Sequence, residues 1–158
     1  MAATRAIQAL EEAKVSHRVH EYEMPADDEE ASYGEAVARA IGADPARVYK
    51  TLVALVDRDP VVAVVPVGGA LSMKALAKAR HGKRAQMADP ADAERLTGYV
   101  VGGISPFGQR RRLPMVVDDS LAEHGTVFVS GGRRGIQVEI IPEDLIRLTG
   151  AARAPIAG

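Results

Sequence analysis

No cysteine occurs among the 158 residues. A disulfide framework and a thiolate metal site are excluded at the outset. The four histidines, His17, His20, His81 and His124, are scattered rather than set at ligand spacing, so no metal and no cofactor is expected. Missing too is any run of roughly 18 consecutive apolar residues, which a membrane span needs. The N-terminus lacks a charged segment followed by an apolar one, the mark of a secretory leader. The expected setting is the cytoplasm, with no membrane partner. An excess of one charge is also lacking: Lys and Arg number 20 against 21 Asp and Glu. That balance argues against a protein that coats nucleic acid by bulk attraction.

What is present is apolar material, 47% of the chain, enough to bury one core. Residues 1–150 read as one domain and residues 151–158 as a flexible tail. The cations are segregated. Lys74, Lys78, Arg80, Lys83 and Arg84 share a helix-sized stretch, Arg110, Arg111 and Arg112 form a triplet, and Arg133 and Arg134 follow a glycine pair. A neutral protein with such patches can grip a polyanion locally; equally, each patch is what a solvated face looks like.

Residues 4–14 place Ile7, Leu10 and Ala13 near helical spacing behind a Thr4 cap. Residues 15–22 alternate as an edge strand does. Ser32 and Glu35 make a capping box for a helix ended by Gly42. Asp44 and Pro45 start a short turn that delivers the chain into VYKTLVALV, residues 48–56, and a turn at 57–60 leads into VVAVVPV, residues 61–67. Continuous apolar runs of this kind predict a hairpin buried on both faces. Lys50 and Thr51 are polar positions within it: Lys50 either points to solvent or is paired or used. Ser72 caps a helix with Met73, Leu76 and Ala77 inward, and Asp89-Pro90 opens another, closed by Gly98. Strands follow at 99–101, 113–117, 127–129 and 136–140, then a helix at 142–148. Helices and strands do not alternate, so an α+β domain with a mixed, partly closed sheet fits best.

Chemistry concentrates in GGISPFGQ, residues 102–109. Three glycines in seven positions cost backbone entropy that a passive connection has no need to spend. Such a loop brings N–H groups close to an anionic oxygen, or it is a set of tight turns. Ser130, Gly131 and Gly132 form a second small-residue site. His20, Tyr22 and Tyr33 are further polar candidates.

The segments SYG (32–34), VYKTLV (48–53), MADP (87–90), ERLTGYVVGGISPFGQ (94–109) and VSGGRRG (129–135) resemble, in order and spacing, the YbaK family of editing deacylases. The likeness runs from about residue 4 to residue 149 and is nearer the bacterial Cys-tRNA(Pro) deacylase branch than the insertion domains of prolyl-tRNA synthetases. It implies a mixed, mostly antiparallel pseudo-barrel with surrounding helices, and metal-free cleavage of an aminoacyl ester, by hydrolysis or by substrate-assisted, lyase-like release. The implied partners are the acceptor end of tRNA(Pro) and, as a second, prolyl-tRNA synthetase. The family's pocket lysine falls on Lys50, and Gly102 joins it as the implied catalytic pair. Tyr22, Tyr33, Thr51, Gly103, Ile104, Ser105, Pro106, Ser130, Gly131 and Gly132 are the implied substrate contacts. Lys74, Lys78, Arg110, Arg111 and Arg133 would hold phosphates. Where the family pattern G-L-D-I-E has an aspartate, this chain has Gln137. An alanine-clearing paralogue and a binding module without catalysis remain alternatives, and discrimination between alanine and cysteine is expected to rest on about 1 to 3 kcal/mol.

Overall fold

Thr4 Oγ1 accepts the Ile7 N–H and starts α1 (Arg5–Glu12), which buries Ala6, Ile7 and Leu10. The computed structural model describes residues 3–23 and 33–158; the expected Ser32 cap lies outside the described residues. The other helices are α2 (Tyr33–Ile41), α3 (Met73–Ala79), α4 (Pro90–Thr97) and α5 (Pro142–Thr149). Ser72 caps α3 through the Ala75 N–H, and left-handed Gly98 and Gly150 end α4 and α5. None of the described helices is long and apolar enough to cross a membrane.

The strands form two sheets. One is ordered β1-β7-β6, from β1 (His17–Glu21), β6 (Val127–Ser130) and β7 (Ile136–Ile140). The other is ordered β4-β2-β3-β5-β8, from β2 (Tyr49–Val56), β3 (Asp59–Pro66), β4 (Ala85–Met87), β5 (Met115–Asp118) and β8 (Ala152–Ala154). All pairings are antiparallel except β3 with β5 and β5 with β8. This is the expected mixed, mostly antiparallel α+β fold. It is not a closed barrel: the sheets meet at a corner, where a parallel bridge joins Val48 to Phe128. Arg47 braces that corner, reaching Glu139 at 3.2 Å and the Thr126 carbonyl at 3.0 Å, with its guanidinium 4.9 Å from the Phe128 ring centre.

The β2–β3 hairpin is buried on both faces, as its continuous apolar run predicts. Tyr49, Val53, Val62 and Val64 belong to the main core with α1, α4 and α5. Ala54, Val56, Val61, Ala63 and Val65 alternate with them into a second core under α3. The turn is only Asp57 and Arg58, both at positive φ (49° and 76°), the twist a two-residue hairpin requires. Asp59 and Pro60 fall inside β3.

Two expectations need correction. Residues 99–101 are a turn, not a strand: the Gly103 N–H closes on the Val100 carbonyl and the Val101 N–H on Glu94, so the main chain is used locally. The short strand β4 was not anticipated. Residues 151–158 are not a flexible tail. β8 pairs with β5, Ile156 is fully buried, and the Ile156 and Ala157 N–H groups both donate to Asp118 Oδ1, at 3.0 and 2.9 Å.

Candidate active site

β4 reaches only Ala54–Val56 of its neighbour, and beyond it the Ala88 N–H closes onto the Val53 carbonyl. Before that point no strand is hydrogen-bonded to this edge of β2 among the described residues; β6 approaches it only through the bridge at Val48. Around this gap lies a cavity of about 450 Å3. Because it wraps a strand edge, it is bordered both by Lys50 and by Thr51, although consecutive strand residues point to opposite faces. Lys50 is half-buried, and no carboxylate pairs with it among the described residues.

The loop that carries Val101, Gly102 and Ile104 forms one wall. Gly102 sits at φ +92°, and a Cβ there would lie 2.6 Å from Arg134 Nε. A Cβ at Gly103 would lie 2.8 Å from the Arg133 Cα. Gly102 is needed for its positive φ, since the Arg134 side chain can move aside, and Gly103 because the main chain of the turn after β6 comes so close. The Gly103 N–H is occupied by Val100, whereas that of Gly102 meets no acceptor among the described residues. Tyr99 anchors the loop from beneath: its hydroxyl donates to the Phe107 carbonyl at 2.5 Å, and burial pushes its pKa up to about 12.

The charged groups of the described lining are Lys50 and Arg134, and no carboxylate or imidazole borders it. Arg134 lies 5.1 Å from the centre of the Tyr33 ring. The same lining carries the apolar Val37, Val53, Ala93 and Ile104. Gln137 and Ser130, cross-strand partners on β7 and β6, complete the polar lining. At the rim stand Met87 and Val101, both exposed although large and apolar. The nearby Glu139 carboxyl is held below its ordinary range, first by the Thr126 hydroxyl, against the opposing effect of burial, with His20 and Arg47 assisting. That keeps the corner beside the cavity ion-paired.

Of the residues singled out in the sequence, Tyr33, Lys50, Thr51, Gly102, Ile104 and Ser130 come together on this cavity. The others do not border it. Ser105 is fully buried and serves its own loop, with its hydroxyl accepting the Phe107 N–H and its carbonyl the Gln109 amide. Pro106 lines a separate cavity of about 300 Å3 together with Arg112 and Gln109. Gly131 and Gly132 are tied into the turn through Ile136, Thr4 and Ser130. Tyr22 extends the β1 ladder by donating its N–H to Gly135. Lys74, Lys78, Arg110, Arg111 and Arg133 are all exposed and off the lining.

Sequence reasoning missed Arg134 and Gln137 as lining residues. Arg134 adjoins Arg133, the expected phosphate ligand, and strand alternation cannot decide between neighbours in a turn. Gln137 stands out in the sequence only as a departure from a pattern.

The family model described as the aminoacyl-tRNA editing domain matches residues 28–148. An Enterococcus faecalis protein provisionally named Cys-tRNA(Pro)/Cys-tRNA(Cys) deacylase EbsC is 36% identical over 154 residues, 97% of this chain and 92% of its own length. The uncharacterized protein YwhH of Bacillus subtilis is 31% identical over 70% of this chain and 71% of its own. A crystal structure provisionally described as a trans-editing enzyme for prolyl-tRNA synthetase superposes with a TM-score of 0.85 at 25% identity, covering 100% of this chain and 99% of that one. With the family model spanning most of its length and more than a third of its residues shared with an end-to-end relative, this chain belongs to the aminoacyl-tRNA editing domain family.

Proposed function

We propose that this editing protein deacylates mischarged Cys-tRNA(Pro) in trans, in the cytoplasm, on tRNA released by prolyl-tRNA synthetase. The observation that carries the catalytic part is the pairing, at one cavity, of a half-buried lysine without a counter-ion and a glycine N–H without an acceptor among the described residues. The choice of amino acid and tRNA leans on the provisional name of the 36% identical relative.

An aminoacyl ester is already activated, so orientation and charge stabilisation suffice. The acyl group enters the cavity beside β2. The Lys50 ammonium and the Gly102 N–H take up the negative charge that develops on the carbonyl oxygen as the nucleophile adds. The acyl–oxygen bond then breaks, and the ribose hydroxyl leaves with the proton given up by the nucleophile. In the hydrolytic route that nucleophile is water. A second route is favoured by the absence of a carboxylate or imidazole from the described lining: the substrate's own thiol attacks its carbonyl, and the protein supplies neither base nor nucleophile. The exposed Lys74, Lys78, Arg110, Arg111 and Arg133 hold acceptor-end phosphates.

The test is loss of labelled amino acid from Cys-tRNA(Pro), Ala-tRNA(Pro) and Pro-tRNA(Pro). Selective clearance of the cysteinyl ester is expected. Preference for the alanyl ester would move the protein to the alanine-clearing branch, and clearance of none above the spontaneous rate would refute deacylation of these substrates.

A further inference from the structure

Two buried side-chain oxygens have no hydrogen-bond partner among the described residues: Thr51 Oγ1 and Gln137 Oε1. Their residues are 8% and 7% exposed, and both border the same cavity. An unpaired polar atom in a protein interior costs free energy, so such groups in a native fold ask for an explanation. Elsewhere the described interior does not tolerate the defect. Asp118 spreads its acceptors over Ser120, Ile156 and Ala157, and Thr97 finds the Ala93 carbonyl. Ser130, opposite Gln137 in the ladder, is satisfied by Gly132. That the two exceptions share one cavity points to a ligand as the missing partner.

The chemistry of that partner is constrained by charge. The lining holds Lys50 and Arg134 and no carboxylate among the described residues. A substrate ammonium placed there would face the Lys50 ammonium, which pairs with no carboxylate among the described residues, and only neutral acceptors of the described lining. A hydroxyl or thiol suits the site better, since it donates to one oxygen without bringing charge. Both protein groups can adapt: the Thr51 hydroxyl rotates, and a half-turn of the Gln137 amide exchanges its oxygen and nitrogen in place.

Resting on the aminoacyl-ester reading of the cavity, we infer that Thr51 and Gln137 form a specificity subsite for a small amino-acid side chain bearing a hydrogen-bond donor, a hydroxyl or a thiol. The subsite selects serine and cysteine together against alanine. Alanine fits the space but leaves both oxygens unpaired, and sites of this kind reject the analogue lacking the polar group far more strongly than a missing methylene is rejected.

The probes are adenosines carrying seryl, cysteinyl or alanyl groups through a 3′-amide in place of the ester, titrated calorimetrically so that binding is read without turnover. The seryl and cysteinyl compounds are expected to bind at least about tenfold more tightly than the alanyl one, with the preference falling to about threefold or less in Thr51→Val and in Gln137→Met. Thr51→Val is also expected to raise the melting temperature of the free protein, because it removes a buried unpaired hydroxyl while keeping the shape. Equal binding of the three compounds, as would follow if the oxygens held the α-amino group, overturns the inference. So does binding of none, a preference that survives both substitutions, or a lowered melting temperature in Thr51→Val. Clearance of the matching aminoacyl-tRNAs is followed in parallel: selective binding with no ester cleared would sink the deacylase reading and leave the subsite standing.

Discussion

Asp118 holds the end of the chain with one carboxylate. Its Oδ1 accepts two N–H groups from residues 156 and 157, and its Oδ2 is bonded by Ser120. Burial alone would raise its pKa, but the Ser120 hydroxyl and the Ala157, Ser120 and Ile156 N–H groups outweigh it and hold the value below the ordinary carboxylate range. A lowered folded value means that its stabilisation is complete above the unfolded pKa and is lost as pH falls through the folded one. Asp118→Ala is therefore expected to destabilise the protein by roughly 1 to 3 kcal/mol at neutral pH by urea titration, and the gap to the unmodified protein should narrow below about pH 4. A gap independent of pH would mean that the charge contributes nothing. Sequence could not have found this role, since the partners of Asp118 lie 38 and 39 positions away. Lys50, by contrast, stands out in the sequence as a charge inside an apolar run, and only its surroundings are hidden there.

At the scale of elements, what could be read was local. Caps at Thr4, Asp44 and Ser72, the β2–β3 hairpin and the last helix all follow from neighbouring residues. What could not be read was partnered from afar. β4 and β8 have three residues each and become strands only because β2 and β5 offer an edge. Residues 99–101 look like a strand by composition, yet the left-handed Gly98 and the Glu94 carboxylate turn the chain away. The consequence for β8 is testable. Ile156 packs in the second core with Leu76, Val116 and Val65, so Ile156→Ala should cost about 2 to 5 kcal/mol. Deleting residues 151–158 should cost at least as much, seen as a lower urea midpoint. A deletion variant as stable as the full chain would contradict the place given to this segment.

For the whole molecule, a formal charge of −1 leaves recognition of a polyanion to local patches. Replacing Arg110, Arg111 and Arg133 together with glutamine is expected to weaken tRNA binding and to flatten the plot of log affinity against log salt by about 0.7 to 0.9 for each phosphate no longer neutralised. An unchanged slope would place the tRNA on another face. Family membership was legible because its motifs are spread through the chain in fixed order, so each supports the others. The corner between the sheets was not, because it depends on Val48 meeting Phe128 across 80 positions. Lys50 and Gly102 border the same cavity, and catalysis as proposed depends on the pair. Single-turnover deacylation and tRNA affinity, measured side by side for Lys50→Ala, test it most directly. Turnover should fall by about 100-fold or more, as when one charge-stabilising donor is removed, while affinity changes by no more than a single phosphate interaction allows. Turnover that survives the substitution would contradict the proposed role of Lys50.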